Sequence, residues 1–194
     1  MFEKYELYLF ALNQKLSKFF ENQREYICCK EGCAHCCCDG NYPYTSIEAE
    51  YLKFGLARLP LKVQSEIQQK ILKIKQDKLE WKKDEADFIY ECPFLINNRC
   101  CVYSYRGIIC RTFGLAYFDK NNKTKVPNCV FKGLNYAKVY DPKTKLISTR
   151  LFEKEDYKNE PIAFNLSLNF LYKNEVTEYI GIEFGKVKPM VDWL

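Results

Sequence analysis

Six cysteines fall within eleven residues, Cys28, Cys29, Cys33, Cys36, Cys37 and Cys38. Core packing alone does not call for thiols at that density. Cys33-Ala34-His35-Cys36 is a C-x2-C unit, a spacing that lets two thiolates turn toward one ion while backbone amides point at sulfur. Cys29 lies upstream and Cys37 follows directly. Four further cysteines, Cys92, Cys100, Cys110 and Cys129, each stand among turn-forming residues. That is enough sulfur for one four-thiolate site or for two metals. All-thiolate sites suit both zinc and iron. The number and adjacency of the thiols tilt slightly toward an iron–sulfur cluster over structural zinc, although no ferredoxin-type run of three C-x2-C units is present.

The spacing also divides ligands from spectators. Neighbouring side chains diverge, so Cys36 and Cys37 are expected to have difficulty closing on one ion. Either they serve two sites, each completed from the second segment, or one ligates and the other is buried as a small hydrophobe. Cys28, Cys38 and Cys101 read as spectators. Asn97-Asn98 between Phe94-Leu95-Ile96 and Cys101-Val102-Tyr103 reads as a hairpin turn. Strand alternation would then put Cys101, not Cys100, on the face of Cys92. His35, the single histidine, reads as a spacer between ligands more than as a ligand. Histidine-based acid–base or triad chemistry would have to rest on it alone, and no catalytic residue is identified. Arg106 and Arg111 flank Cys110; they would bond loop carbonyls or offset thiolate charge. No Gly-rich phosphate loop is visible.

The chain around these residues is globular. Its 194 residues are 47% apolar with 14 Phe and 15 Tyr, enough to bury a core without covalent help. They are read as a single domain, 1–194, with the cysteine-cluster core at about 28–131. The net charge of +5 comes from lysines spread along the chain, which disfavours a nucleic-acid partner. The N-terminal stretch has no uninterrupted apolar run or small-residue cleavage site, and no segment reaches membrane-span length. These features predict a cytoplasmic protein with no membrane partner, in a compartment where thiolates are kept and disulfides are not. An odd cysteine count and adjacent pairs point the same way.

Helices and turns must position the thiols. Tyr5, Leu9, Leu12, Leu16, Phe19 and Tyr26 repeat at helical spacing and predict a helix over 3–26, with Gln23 the polar member of the stripe. Thr45-Ser46-Ile47-Glu48 reads as a capping box, opening a helix with Ile47, Tyr51 and Phe54 inward and broken by Gly55 and Pro60. A third helix is expected over about 61–83, with Ile67, Ile71, Ile74 and Trp81 on one face. Phe88-Ile89-Tyr90 reads as a short strand. Residues 119–123 and 141–144 are further turn signals. A helix is expected after Pro161, with Ala163, Leu166 and Phe170 inward, and a last short one around Val176, Tyr179 and Ile180, stopped at Gly181 or Gly185. The fold class is therefore α+β: helical N- and C-terminal segments around a metal-bound cysteine cluster with short β-hairpins and loops.

Two ordered motifs resemble those of the YkgJ-like, or CxxCxxCC, cysteine-cluster family, described as a zinc- or iron-chelating domain. The first is Cys29-Lys30-Glu31-Gly32-Cys33-Ala34-His35-Cys36-Cys37. The second is Cys92-Pro93-Phe94-Leu95, then Cys100-Cys101-Val102-Tyr103, Arg106 and Cys110-Arg111-Thr112-Phe113, with Cys129 following a hairpin. The likeness covers about residues 28–131. It implies a metal set of Cys29, Cys33, Cys36, Cys37, Cys92, Cys100, Cys110 and Cys129, taking Cys100 and not Cys101. The chain departs from the family pattern at Cys29, separated from Cys33 by three residues where the family has two, and at Arg106-Gly107, where the family commonly has Arg-Pro. Loss of that Pro is expected to loosen the turn before Cys110.

The resemblance implies a metal-binding protein whose partner is zinc or iron, the iron alone or in an iron–sulfur cluster. A protein partner or substrate is compatible with it. The alternative is an enzyme, either an iron–sulfur redox protein or a protein-modifying one, because the flagellin lysine N-methylase group carries a similar motif. No methyl-donor site is identifiable in this sequence.

Overall fold

The computed structural model describes residues 2–154 and 157–194. Helices run over Glu3–Asn22 (α1), His35–Cys38 (α2), Ser46–Leu56 (α3), Leu61–Glu80 (α4), Ile108–Thr112 (α5), Thr149–Lys154 (α6), Leu168–Tyr172 (α7) and Glu175–Ile180 (α8). Strands run over Pro43–Thr45 (β1), Leu95–Ile96 (β2), Arg99–Cys100 (β3), Tyr117–Phe118 (β4), Thr124–Lys125 (β5), Tyr140–Asp141 (β6), Leu146–Ile147 (β7) and Val187–Pro189 (β8). The strands pair as small antiparallel two-stranded sheets, β1–β8, β2–β3, β4–β5 and β6–β7. This is a mixed α+β chain. Among the described residues no helix is long and apolar enough to cross a membrane. The chain divides into two compact units, Met1–Lys30 with Arg111–Ile182, and Glu31–Cys110 with Glu183–Leu194.

The first unit is built on α1, which buries Tyr5, Tyr8, Leu9, Leu12 and Leu16 at alternating three- and four-residue spacing. The helix ends at Asn22, short of the expected Tyr26, and a 3₁₀ turn over Arg24–Tyr26 completes it. Gln23, fully buried, explains the stop. Its Nε2 donates to Glu160 O at 3.0 Å and its Oε1 accepts from Ile162 N at 2.9 Å. The Glu25 carboxylate accepts from the amides of Lys158 and Asn159. These bonds hold the segment after Pro161 extended, where a helix was expected. Phe164 N donates to Ala116 O at 2.9 Å, Phe118 N donates to Phe164 O at 3.1 Å, and the Phe164 ring stacks on Phe19. The next helix, α7, starts only at Leu168, where the Ser167 hydroxyl caps Phe170 N. Helix α8 ends on Gly181 at φ +62, as a C-terminal glycine should. Its buried residue is Thr177, while Tyr179 is 92% exposed, because the Thr177 hydroxyl pairs with the Asn174 cap.

In the second unit, α3 begins with the expected capping box. Its buried face is Glu48, Ala49, Tyr51, Leu52 and Gly55, one position off the expected Ile47–Tyr51–Phe54 stripe. Gly55 does not break the helix. It lies inside the last turn against Tyr105, whose Cγ would be 2.3 Å from a Cβ at that position. Helix α4 buries Ile67, Ile71 and Ile74 as its periodicity requires. Phe88–Tyr90 is not a regular strand; Tyr90 alone forms a bridge, to Gly40. The C-terminal segment closes this core. Strand β8 pairs with β1, and Met190 and Val191 join Tyr44, Leu52, Ile67, Ile71 and Phe94 in one cluster.

Candidate metal centre

The second unit holds six of the expected ligands, Cys33, Cys36, Cys37, Cys92, Cys100 and Cys110. Helix α2 carries Cys36 and Cys37. The strand-like Gly40 is laced to Tyr90 by two backbone bonds, and Cys92 N donates to Cys37 O at 2.7 Å. That lacing brings Cys92 beside α2. Leu95 N donates back to Cys92 O at 3.0 Å, so the chain turns immediately after Cys92. The β2–β3 hairpin follows, with Asn97 and Asn98 both at positive φ and Leu95 paired with Cys100. A two-residue turn of this kind is what Asn-Asn favours. Helix α5 supplies Cys110.

Charges on these sulfurs feel one another. Cys37 is pushed up by Cys36, by burial, and by Cys92 and Cys110. Burial raises Cys92, and Cys110 and Cys100 add to it. Burial raises Cys100, with Cys36 adding to it, and carries Cys110 up to about 12, against a hydrogen bond from Tyr44 that pulls the other way. Cys36 alone is drawn down, to about 7, chiefly by the hydrogen bond from Cys37 beside it and then with help from Arg106. The metal-free cluster is thus four protonated thiols around one sulfur ready to ionise near neutral pH.

The Cys36 and Cys37 sulfurs stand 4.0 Å apart. Both residues sit on the single turn of α2, with Cys92 N bonded to Cys37 O. Two thiolates on one tetrahedral ion with bonds of about 2.3 Å lie roughly 3.8 Å apart, so this pair fits a shared metal. All eleven cysteines stand outside disulfides. Among the described residues no group of three or more His, Cys, Asp or Glu side chains is set, as it stands, to hold an ion. The donor chemistry fits a thiolate-bound metal; the closed cage is not preformed, which is ordinary where metal binding and local folding are coupled.

The hairpin forms as read, but the turn after Cys92 removes the strand alternation on which the choice of Cys101 rested. Cys101 Sγ donates to Phe94 O at 3.1 Å; both Cys100 and Cys101 act on Cys92, and Cys100 also lies in the field of Cys36 and Cys110. Cys33 is half-buried in the same unit, two residues before α2. His35 is exposed.

Cys29 and Cys129 belong to the first unit. There Asn135, 1% exposed, donates from Nδ2 to Cys29 Sγ at 3.2 Å and to Gly114 O at 3.0 Å, and accepts from Cys28 N at 2.7 Å. Cys129 O accepts from Leu134 N at the end of a 3₁₀ turn. Arg111, buried in this unit, donates to Asn13 Oδ1 at 3.3 Å. Arg106, in the second unit, lies over the Tyr103 ring and donates to Tyr103 O at 3.1 Å, and its charge lowers both Cys36 and Cys100.

Three supporting residues carried no signal as site residues in the sequence. Tyr42 donates to Cys36 O at 2.6 Å. Tyr44 accepts from Gly107 N at 2.8 Å, and its hydroxyl is 3.4 Å from Cys110 Sγ. Burial and the neighbouring Cys110 hold Tyr44 well above the usual tyrosine range, so it stays protonated. Glu48, legible only as a cap, also accepts from Ile108 N at 2.7 Å. Tyr44 and Glu48 thereby hang the segment leading into Cys110. Gly107 does not loosen that turn, contrary to expectation. Its N–H is used by Tyr44, and a Cβ would fall 2.5 Å from Tyr44 Cζ, so neither Pro nor Ala suits the position.

Comparison with family models, with curated proteins and with solved structures finds no match to this chain.

Proposed function

We propose that the protein binds zinc or iron through cysteine thiolates, with Cys36, Cys37, Cys92, Cys100 and Cys110 as the central donors and Cys33 beside them. The observation that carries this reading is that the Cys36 and Cys37 sulfurs stand 4.0 Å apart, that Cys92 is bonded through its amide to Cys37 O, and that Cys100 and Cys110 act electrostatically on these thiols from two further stretches of chain. A fold without a use for sulfur would bury such positions as aliphatic side chains. The motif likeness to the CxxCxxCC proteins supports the same set, including Cys100 in preference to Cys101.

The metal would supply charge neutralisation for the thiolates and a cross-link between the 33–38 loop and the 92–110 segment. The chain's own residues do the rest. Arg106 offsets negative charge at Cys36 and Cys100. Tyr42, Tyr44 and Glu48 fix the backbone on either side of the sulfurs. The packing of Cys92, Cys100 and Cys110 against the aliphatic and aromatic core supports a metal that organises the fold and is held or transferred as cargo, in preference to an enzyme turning over a substrate.

Metal analysis of protein purified without air, with a visible absorption spectrum, tests the proposal. Stoichiometric zinc without colour assigns a zinc site; iron with labile sulfide and a brown protein assigns a cluster. Protein that holds neither, and takes up neither when reconstituted, refutes it.

A further inference from the structure

The hydroxyl of Tyr44 is the one side-chain group hydrogen-bonded to a sulfur of the cluster from outside the cysteines, among the bonds described. Its oxygen already accepts from Gly107 N at 2.8 Å. Its hydrogen therefore needs an acceptor, and the sulfur of Cys110 lies 3.4 Å away. The group cannot swing elsewhere. Tyr44 is 2% exposed, its strand β1 is paired with β8, and its carbonyl accepts from Trp193 Nε1 at 2.9 Å. Its ring fills the space that a side chain at Gly107 would need. A buried hydroxyl left without an acceptor is costly, and the geometry leaves sulfur as the group that removes this cost.

We infer that Tyr44 is a positioning residue of the metal centre, donating an O–H···S hydrogen bond that fixes the Cys110 sulfur and draws charge from it. The inference rests on the thiolate–metal reading above for its purpose, and on the hydroxyl geometry alone for the contact itself. Hydrogen bonds to metal-bound thiolates reduce electron donation to the metal, and partners of this outer kind typically alter metal affinity 10- to 100-fold when removed. Tyr44 would thus set how tightly this centre holds its ion.

The test compares Tyr44→Phe with Tyr90→Phe, a like change in the same core whose hydroxyl is not bonded to sulfur. With cobalt(II) as the probe, Tyr44→Phe should move the sulfur-to-cobalt charge-transfer band to lower energy and weaken cobalt binding about 10- to 100-fold, while Tyr90→Phe leaves the band in place. An unmoved band in folded Tyr44→Phe overturns the inference. A second measurement uses the unaltered, metal-free protein with ring-labelled tyrosine. The Tyr44 hydroxyl proton should exchange slowly and show an Overhauser contact to the Cys110 β-protons. A hydroxyl proton directed elsewhere overturns the inference even if the variant fails to fold. Protein that binds no cobalt, yet shows that contact, removes the metal reading and leaves the hydrogen bond standing.

Discussion

The two units of this chain close their interiors by different means. In the first, long polar side chains do the tying. Gln23, Glu25 and Asn135 each accept or donate two or more bonds to backbone that is remote in sequence, and aromatic rings fill the space between, with Tyr26 against Tyr136 and Phe19 against Phe164. In the second, an aliphatic and aromatic core of Leu52, Ile67, Ile71, Phe94 and Val191 runs directly into Cys92, Cys100 and Cys110. The first unit ties its remote segments together with the protein's own side-chain hydrogen bonds. The second carries five sulfurs that no protein group neutralises together, and Arg106 supplies one positive charge toward them. If a cation completes the second unit, as proposed, the two units are expected to fail in different ways.

The largest difference should appear on cysteine replacement. Serine at Cys33, Cys36 or Cys110 abolishes metal binding, read as metal per chain after gel filtration, whereas serine at Cys28 or Cys38 leaves it intact. Equal loss from all five would erase the division between ligands and spectators.

Next in size is Glu48→Ala. It removes the N-cap partner of Thr45 and leaves the buried amide of Ile108 without its acceptor, at a combined cost of about 2–4 kcal/mol. Both tryptophans, Trp81 and Trp193, lie in the second unit, so denaturant unfolding followed by tryptophan fluorescence reads this loss. An unchanged midpoint would mean that Glu48 does not hold the Cys110 segment.

In the first unit, Gln23→Ala should cost about 1–3 kcal/mol by orphaning Ile162 N and Glu160 O. Hydrogen exchange at the Ile162 and Phe164 amides should accelerate correspondingly, and unchanged protection would show that the ring stacking suffices.

The smallest effect is on pH dependence, and it has a definite sign. Thiols raised by burial, with Cys110 at about 12, stabilise the metal-free fold fully below the ordinary thiol value near 9, and that contribution is lost as pH rises toward 12. Cys36, lowered to about 7, acts in the opposite sense: its contribution is present above 9 and lost as pH falls through 7. The metal-free second unit should therefore weaken from pH 9 upward, and metal uptake at pH 7 should release protons. Uptake without proton release would show that the thiols were not the donors.

Much of this was legible from local signals. The α4 stripe, the Thr45–Glu48 capping box and the three hairpin turns of two to five residues follow from side-chain periodicity and turn chemistry acting over a few residues. What escaped depends on partners far along the chain. The extended segment at Ile162–Phe164 exists because Gln23 and Ala116 bond to it, and no propensity near Pro161 encodes that. The pairing of β1 with β8 links residues more than a hundred apart. The cysteines were legible by type and spacing, but the placing of Cys92 beside Cys37 follows from a backbone bond between stretches more than fifty residues apart. The supporting trio of Tyr42, Tyr44 and Glu48 has no chemical signature in sequence, since a tyrosine near a cysteine motif is usually ordinary core.

X-ray absorption at the edge of the metal carried by the purified protein tests the central claim most directly. The account predicts a first shell made of sulfur, at about 2.3 Å, that is lost in Cys36→Ser and Cys110→Ser. A shell dominated by oxygen and nitrogen, unchanged by either substitution, would contradict it.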